Sequence, residues 1–393
     1  MNKKAMIVAG VMSGTSADGI NVALVRIAQR RKGASTNLEL IGHAEYPYPK
    51  KVRKAVLAAM NASNVKIADL ARLNFLLGEL YSEAVLDTER GFRVKADLVG
   101  CHGQTLYHQG EPANFLGRKL AATWQTGEGA IVAARVGVPA ISDFRPADIA
   151  AGGKGAPLVP FLDYMLFRDP QAGRIVQNIG GIANLTAIPA GAPVSDVVAF
   201  DTGPGNMVID AVTEKLFGRL FDGDGKIASS GKVLQNVITK LLQRHFFRRP
   251  PPKTAGREEF GREFVRSFLQ LCRGSRKRDI VSTATALTAK SIADAVRRHI
   301  QQTSSSRPKV DYREMILSGG GANNLALVKM LSIELAPLGI GLRRSDELGL
   351  PSEAKEAVAF AVLAHETWHR RGSNIPAATG AKRAAILGKI SYP

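Results

Sequence analysis

Cysteine is scarce in this sequence. Only Cys101 and Cys272 occur among 393 residues, far apart and without a CxxC pair. This spacing argues against a disulfide scaffold and against a structural zinc site, because both require paired or clustered cysteines. Free thiols are typical of a reducing compartment, so we expect a cytoplasmic protein.

Long apolar runs and acidic residues are also lacking. No uncharged apolar stretch approaches the roughly 20 residues that span a bilayer, and polar residues from Ser13 to Asp18 interrupt the N-terminal apolar run, which argues against a secretory signal. Lys and Arg outnumber Asp and Glu by 53 to 34, which gives a formal net charge of +19. The basic clusters are scattered, with few aromatic residues between them, and so favour a solvated surface over a nucleic-acid groove. We expect neither nucleic acid nor membrane as a partner.

The length and the hydrophobic content of 45% predict two α/β domains. Strand patterns followed by alternating helices and strands occur in the first part of the chain, and a similar order recurs from residue 174 onward. This duplication predicts two related halves with mixed sheets on either side of a ligand-binding cleft. We place the domains at 1–170 and 171–370, with the tail 371–393 returning to the first. The basic, proline-rich stretch 246–261 is typical of a loop.

The first motif with chemical potential is the polar turn Ser13-Gly14-Thr15-Ser16-Ala17-Asp18-Gly19. It follows one predicted strand and precedes another, so its amides and hydroxyls can gather around phosphate oxygens. Asp18 adds a hard oxygen ligand suited to a hydrated magnesium ion. An ordinary glycine hairpin would explain the same residues, and this motif alone leaves both interpretations open.

Three further glycine turns follow predicted strands in the second half. Asn178-Ile179-Gly180-Gly181 lies between two apolar strands, and Ser318-Gly319-Gly320-Gly321 leads into a helix N-terminus. Their glycines permit close approach of a ligand to bare backbone. Asp201-Thr202-Gly203-Pro204-Gly205-Asn206 places a carboxylate at a strand end, where it can serve as a general base or simply cap a helix. The turn Ser318-Gly319-Gly320-Gly321 lacks the glycine spacings of a dinucleotide-binding motif and of a P-loop, so neither of those nucleotide sites is predicted.

Two polar segments of the first half are candidates for sugar contacts. Cys101-His102-Gly103-Gln104-Thr105 lies at a strand end. Farther along, Asp143, Arg145 and Asp148 precede a glycine-rich stretch that contains Gly153. Charged groups beside flexible backbone are typical of a sugar-binding loop. A surface ion pair between Arg145 and Asp148 is the simpler alternative.

Taken in order, these motifs resemble a known enzyme family. The strings MSGTSADG, CHGQT, SDFRPADIAAGGKGAPLVP, NIGGIANL, FDTGPGN and SGGGANN are similar to those of the anhydro-N-acetylmuramic acid kinases, and the resemblance covers nearly the whole chain. The glycine turns occur in looser form across the actin-like and sugar-kinase superfamily. The string from Asp143 to Pro160 is specific to this family.

The resemblance implies two ribonuclease-H-like (actin/hexokinase-type) domains and a homodimer that uses ATP and Mg²⁺ in cell-wall recycling. It implies hydrolytic opening of a 1,6-anhydro sugar coupled to phosphorylation, with Asp201 as the base and Glu356 orienting the water. The substrate-binding residues are then His102, Gln104, Asp143, Arg145, Asp148 and Gly153, and the metal ligand is Asp18. The ATP-binding residues are Ser13, Gly14, Thr15, Ser16, Ala17, Asp18, Gly19, Ile20, Asn178, Gly180, Gly181, Gly203, Gly205, Asn206, Gly319, Gly320 and Gly321.

Three alternatives stay open at this point. Another sugar kinase of the superfamily would phosphorylate a free hydroxyl without opening a ring. A nucleotide-switched binding protein of the same fold would hydrolyse ATP slowly and ignore sugars. A nucleic-acid binder would show an affinity that falls steeply with salt.

Overall fold

Two β-sheets organise the chain, and each belongs to its own compact unit. The computed structural model describes residues 5–14, 16–28, 37–60, 62, 64–301 and 311–393. The first unit comprises Met1–Leu166 and Glu353–Pro393, and the second comprises Phe167–Ser352. In the part of the chain described, no helix is long and apolar enough to cross a membrane.

The elements follow one another in a mixed α/β order. The strands are β1 Met6–Ser13, β2 Gly19–Ile27, β3 Leu38–Pro47, β4 Leu98–Phe115, β5 Arg118–Thr126, β6 Ala140–Ser142, β7 Gly173–Ile179, β8 Ile182–Ile188, β9 Val198–Pro204, β10 Tyr312–Ser318, β11 Gly341–Arg344 and β12 Lys389–Ser391. The α-helices are α1 Lys50–Met60, α2 Ile67–Phe92, α3 Gly129–Val136, α4 Phe144–Ala150, α5 Pro160–Phe167, α6 Asn206–Phe217, α7 Lys226–Ser229, α8 Gln235–Leu242, α9 His245–Arg248, α10 Arg257–Phe260, α11 Arg262–Leu271, α12 Lys277–His299, α13 Leu325–Leu335, α14 Lys355–Trp368 and α15 Pro376–Thr379. Short 3-10 helices span Val194–Asp196, Gly223–Gly225, Gly320–Asn323, Ala336–Leu338 and Ser345–Leu348.

The first sheet has the strand order β12-β6-β4-β1-β2-β3, with β5 paired to β4. β1, β2 and β3 are antiparallel neighbours. β4 runs parallel to β1, and β6 runs parallel to β4. A parallel neighbour needs a crossover, which α1 and α2 supply between β3 and β4. Leu77, Tyr81 and Val85 of α2 are buried with Val11 and Val99 in one core cluster.

Helix α14 belongs to the first unit, where it packs on β1, β2 and β4. Two glycines make this close approach possible. A Cβ atom on Gly10 would lie 1.8 Å from the Ala357 carbonyl oxygen, and one on Gly100 would lie 2.3 Å from that of Phe360. The predicted division assigned residues 353–370 to the second domain, so the structure places this helix differently. The tail also lies in the first unit, because β12 pairs with β6.

The second sheet repeats the arrangement of the first. Its order is β11-β10-β7-β8-β9, with β7, β8 and β9 antiparallel and with β10 parallel to both β7 and β11. In each unit an antiparallel three-stranded meander is therefore extended by parallel strands beside its first strand, as in a ribonuclease-H-like fold. The prediction of two α/β domains with mixed sheets is confirmed.

The stretch 246–261 is more ordered than a loop prediction allows. It contains the end of α9 and the whole of α10. Phe246, Phe247 and Phe260 are buried with ring centroids 5.0 to 5.7 Å apart. The aromatic side chains are spaced too irregularly for a periodic signal, yet they pin the segment to the core of the second unit.

Candidate functional site

Buried side chains hold the polar turn between β1 and β2 in place through hydrogen bonds. The hydroxyl of Tyr48 donates to Ser13 Oγ at 2.9 Å, and Ser13 Oγ donates to Gln104 Oε1 at 2.7 Å. Gln104 Nε2 in turn donates to the Gly14 carbonyl oxygen at 3.1 Å. Ser13 and Gln104 are both buried, so they shape the turn and present its backbone outward. Sequence reasoning missed Tyr48.

The remaining predicted residues of this turn divide into exposed and buried groups. Thr15 lies outside the described residues. Ala17 and Ile20 are buried, so only their backbone is available to a ligand. The Asp18 side chain is 69% exposed, and its Oδ1 lies 2.9 Å from a guanidinium nitrogen of Arg53.

A cavity of about 290 Å³ opens beside this turn within the first unit. Its lining is strongly acidic and comprises Met12, Gly14, Ser16, Asp18, Gly19, Asn21, Glu45, Glu353 and Glu356. Within the described ranges, no group of three or more His, Cys, Asp or Glu side chains is arranged to hold a metal ion. Any cation held here would therefore depend on few protein ligands, with waters or a ligand supplying the rest.

Glu356 reaches this cavity from the first turn of α14. Its side chain is accessible to solvent. Desolvation of the carboxyl by neighbouring protein atoms raises its pKa, and the positive charges of Arg145 and Lys355 partly offset that rise. Lys355 itself is buried and pairs with Asp163 of α5 at 2.8 Å. This ion pair fixes the start of the helix that carries Glu356.

The buried His102 pairs with the half-buried Arg145. Arg145 Nε donates to His102 Nε2 at 3.1 Å, and Arg145 Nη1 donates to the Gly155 carbonyl oxygen at 2.8 Å. Burial, and then the nearby Arg145 charge, hold the pKa of His102 well below its usual range. His102 is thus neutral, with the proton on Nδ1. Burial lowers the pKa of Arg145 to about 10, so Arg145 remains a cation at neutral pH.

Asp148 is fully buried, and both of its oxygens are engaged. Oδ2 accepts the Gly155 amide at 2.8 Å, while Oδ1 accepts Asn374 Nδ2 at 2.6 Å and Thr379 Oγ1 at 2.7 Å. A Cβ atom on Gly153 would lie 2.2 Å from Asp148 Oδ2. The carboxylate therefore ties the glycine-rich loop to the C-terminal tail, a contact between residues more than 220 positions apart that no local pattern reveals.

Asp143 precedes α4 and pairs with Lys389 at 2.9 Å. It lines a second, smaller cavity of about 100 Å³ in the first unit. The other residues around this cavity are Asn74, His102, Gly103, Trp124, Gln125, Gly127, Glu128, Gly129 and Ser142. The structure thus brings His102 and Asp143 to one polar cavity, whereas Gln104 and Asp148 are engaged inside the protein.

In the second unit, the Gly180-Gly181 turn packs directly on the turn after β9. The Gly205 amide donates to the Gly181 carbonyl oxygen at 2.9 Å, and the Asn206 amide donates to that of Gly180 at 2.7 Å. A Cβ atom on Gly205 would lie 2.2 Å from the Gly180 oxygen, so glycine is required. Gly203 instead packs against α12, because a Cβ there would meet Ser291 Oγ at 2.6 Å.

The third glycine turn joins the same cluster. Gly319 has φ +81° and lies against Asn178, whose Oδ1 would be 2.7 Å from a Cβ atom at this position. Gly320 approaches the side chain of Asn206, and Gly321 packs against Ile179. Three turns that are distant in sequence therefore converge at one end of the second sheet, as their predicted shared role in nucleotide binding requires.

These turns border a cavity of about 340 Å³ in the second unit. It is lined by Asn206, Asp210, Phe221, Asp222, Gly223, Asp224, Gly320, Asn323 and Asn324. Burial, reinforced by Asp222, raises the pKa of Asp210 to about 6. Sequence reasoning missed these acidic residues, although the Asp222-Gly223-Asp224-Gly225 turn was a usable signal.

Asp201 lies half-buried in β9, and its carboxyl has a raised pKa. Burial raises its pKa to about 7, and the charge of Glu258 adds to that rise. The Ala255 amide, which donates to Oδ2 at 2.7 Å, and the charge of Lys253 oppose it. A base with such a pKa is half ionised near pH 7 and can accept a proton from water or a hydroxyl.

Comparison with known proteins identifies the family. The family model described as anhydro-N-acetylmuramic acid kinase matches residues 6–393. A relative of that name from Bacillus cereus is 42% identical over 391 residues, which cover 99% of this chain and 100% of the relative. Another, from Caldanaerobacter subterraneus, is 43% identical over 99% of this chain and 98% of the relative. A solved structure, the activator of 2-hydroxyisocaproyl-CoA dehydratase from Clostridium difficile with bound ADPNP, aligns over 92% of this chain and 95% of that chain, with 12% identity and a TM-score of 0.43. The resemblance noted in the sequence is confirmed, and the chain belongs to the anhydro-N-acetylmuramic acid kinase family.

Proposed function

We propose that this protein is an ATP-dependent kinase that converts 1,6-anhydro-N-acetylmuramic acid and water to N-acetylmuramic acid 6-phosphate and ADP, in the recycling of cell-wall peptidoglycan. Family membership over the whole chain supports the reaction class. The single observation that carries the proposal is Asp201, a half-buried carboxylate in β9 that is held by the Ala255 amide and whose pKa of about 7 suits a general base.

The reaction requires one base and one nucleophilic oxygen from the sugar itself. Water attacks the anomeric carbon and gives its proton to Asp201. The bond between that carbon and the bridging oxygen breaks, and the bridging oxygen forms a bond to the γ-phosphorus of ATP, from which ADP leaves. Because Asp201 must be ionised to accept the proton, we expect activity to fall as the pH drops below about 7.

Glu356 is the second proposed catalytic residue. Its carboxyl lines the acidic cavity of the first unit and is accessible to solvent, so it can hold a water molecule by hydrogen bonds. Desolvation raises the pKa of this carboxyl, and Arg145 and Lys355 partly offset the rise. A water-accessible carboxyl oxygen can accept a hydrogen bond from water and is suited to orienting the attacking water.

The glycine turns are the proposed ATP site. Backbone amides at Gly319 to Gly321 and at Gly180 and Gly181 offer neutral donors to phosphate oxygens. The Gly205 and Asn206 amides instead hold two of the turns together. Asp18 would hold Mg²⁺, since its exposed carboxylate in the Ser13 to Gly19 turn is a hard oxygen ligand. This ion often binds one protein carboxylate and takes its other ligands from water and phosphates. The ion would supply neutralisation of phosphate charge. Arg53 already pairs with one Asp18 oxygen, so the chain itself also positions a cation there.

The predicted sugar-binding residues divide into two proposed roles. His102, Asp143 and Arg145 are proposed to contact the sugar, because His102 and Asp143 border a polar cavity and Arg145 is a half-buried cation next to His102. Gln104, Asp148 and Gly153 are proposed to position these groups, since their polar atoms and space are already occupied within the protein. We also propose a cytoplasmic location and a homodimer. Light scattering of the purified protein tests the homodimer.

The decisive test incubates the protein with Mg²⁺, ATP and 1,6-anhydro-N-acetylmuramic acid and follows the sugar by mass spectrometry, beside an Asp201→Asn variant. The proposal predicts a product heavier than the sugar by one water and one phosphoryl group (HPO₃). The variant should form it more slowly by about 10²-fold to 10⁴-fold. ATP consumption without this product, or with phosphorylation of other sugars only, would contradict it.

A further inference from the structure

Lys253 is a buried lysine that the proposed reaction does not yet use. Its side chain is 1% exposed, and Nζ donates to the Phe246 carbonyl oxygen at 3.2 Å. The ammonium lies 4.9 Å from the ring centroid of Phe246 and 5.7 Å from that of Phe200, within cation–π range. Lysine is almost never fully buried without a partner. Phe200 immediately precedes Asp201 in β9, so this enclosed cation packs on the strand that carries the proposed base.

The segment that carries Lys253 also contacts Asp201 through two hydrogen bonds. The Asp201 amide donates to the Lys253 carbonyl oxygen at 3.0 Å, and the Ala255 amide donates to Asp201 Oδ2 at 2.7 Å. Three consecutive residues therefore hold both the backbone and the carboxylate of the base. A shift of this segment would move the carboxylate with it, and anchoring the Lys253 side chain in the core prevents such a shift.

The charge of Lys253 acts on Asp201 as well. Burial and Glu258 favour the neutral acid at Asp201, whereas the Ala255 amide and the Lys253 ammonium favour the carboxylate. Burial lowers the pKa of Lys253 itself to about 8, which is above the value of about 7 for Asp201. The lysine is therefore mostly charged on the acid side of the Asp201 titration. The other charged or titratable groups that face Lys253 are Arg249 and Arg298, which disfavour its charge, Asp294, which favours it, and His299.

We propose that Lys253 is a positioning residue for this reaction, whose ammonium charge, together with the backbone of residues 253–255, keeps Asp201 ionised and aimed for proton abstraction. The inference rests on the proposed function, because it takes Asp201 as the base. It gives a functional reason for burying the Lys253 ammonium, because burial of an ionised group is costly.

The test measures kcat/KM for the sugar against pH, from pH 5.5 to 9, in the wild type and in three variants. Lys253→Met keeps the length and apolar stem of the side chain but removes its charge. We expect the low-pH limb of its kcat/KM profile to move upward by up to about one pH unit, so that kcat/KM at pH 6 falls by up to about tenfold. Asp294→Asn weakens the support for the Lys253 charge and should move the limb in the same direction by less. Glu259→Gln, on the exposed face of α10, is the matched control and should leave the limb unchanged.

The outcomes separate this inference from the proposed function. If the wild type makes no phosphorylated sugar, the proposed function fails and the variants are uninformative about Lys253. If the wild type is active but Lys253→Met loses activity equally at every pH, or loses none, the lysine only packs the segment and the inference is overturned. Thermal unfolding of each variant establishes that it is folded. Should Lys253→Met not fold, the limb of Asp294→Asn decides, since an unmoved limb there also overturns the inference.

Discussion

Replacing Asp148 with asparagine tests whether this buried carboxylate positions the sugar loop or contacts the sugar directly. Asp148 accepts hydrogen bonds from the Gly155 amide, from Asn374 and from Thr379, all shorter than 2.9 Å. Asparagine keeps one acceptor oxygen and turns the other into an NH₂ group that faces a donor. Losing a hydrogen bond to a charged acceptor costs about 1.5–3 kcal/mol, and a buried unsatisfied donor costs about 1–3 kcal/mol more. Relief of the carboxylate's desolvation offsets part of this sum, and we expect a loss of about 3 kcal/mol.

Differential scanning calorimetry measures this loss. For a unit of this size, about 3 kcal/mol lowers the unfolding temperature by roughly 6–12 °C. The matched control is Asp143→Asn, because Asp143 pairs with a Lys389 whose side chain is 71% exposed. Such a surface pair contributes less than about 1 kcal/mol, so the control should shift the transition by at most a few degrees. An unchanged unfolding temperature for Asp148→Asn, combined with a raised KM for the sugar, would refute the positioning role and make Asp148 a direct ligand.

Three further changes test other parts of the structure. Tyr48→Phe removes the hydroxyl that donates to Ser13 Oγ, and it should cost about 1–2 kcal/mol in urea unfolding and raise the KM for ATP. Lys355→Met should cost about 3–5 kcal/mol in the same assay because it removes the buried cation that pairs with Asp163. Combining it with Asp163→Leu should recover most of the loss, and no recovery would contradict a stabilising role of the ion pair. Gly205→Ala forces a Cβ atom against a backbone oxygen and should lower kcat/KM for ATP by about 10²-fold through misplaced turns, and wild-type kinetics would show that the turn has room.

The elements that sequence patterns predicted correctly are those whose signals are local. Strand periodicity followed by a glycine cluster located the turns after Ser13 and around Gly180 and Gly320, and a carboxylate inside such a pattern singled out Asp201. The turns of the second unit converge because strand ends on one side of a sheet bring their turns together, and their roles in binding and catalysis stay predictions.

The features that sequence patterns missed depend on contacts between distant segments. Helix α14 joins the first unit because Gly10 and Gly100 admit its backbone, a packing relation across more than 250 residues. Lys253 lies in a proline-rich stretch whose composition is typical of a loop, and only the surrounding phenylalanines reveal that it is buried. The hydroxyl contact from Tyr48 and the partners of Asp148 likewise join segments with no shared periodicity. Tertiary packing, and not local propensity, determines each of these.

The proposed reaction couples addition of water to the sugar with phosphoryl transfer to the oxygen released. Running the reaction in ¹⁸O-labelled water, quenching it within seconds and locating the label by mass spectrometry tests this coupling. Coupled ring opening places one ¹⁸O atom on the anomeric carbon of the phosphorylated sugar and none in its phosphate group. Label in free inorganic phosphate, or a phosphorylated sugar that still contains the intact anhydro bridge, would contradict it.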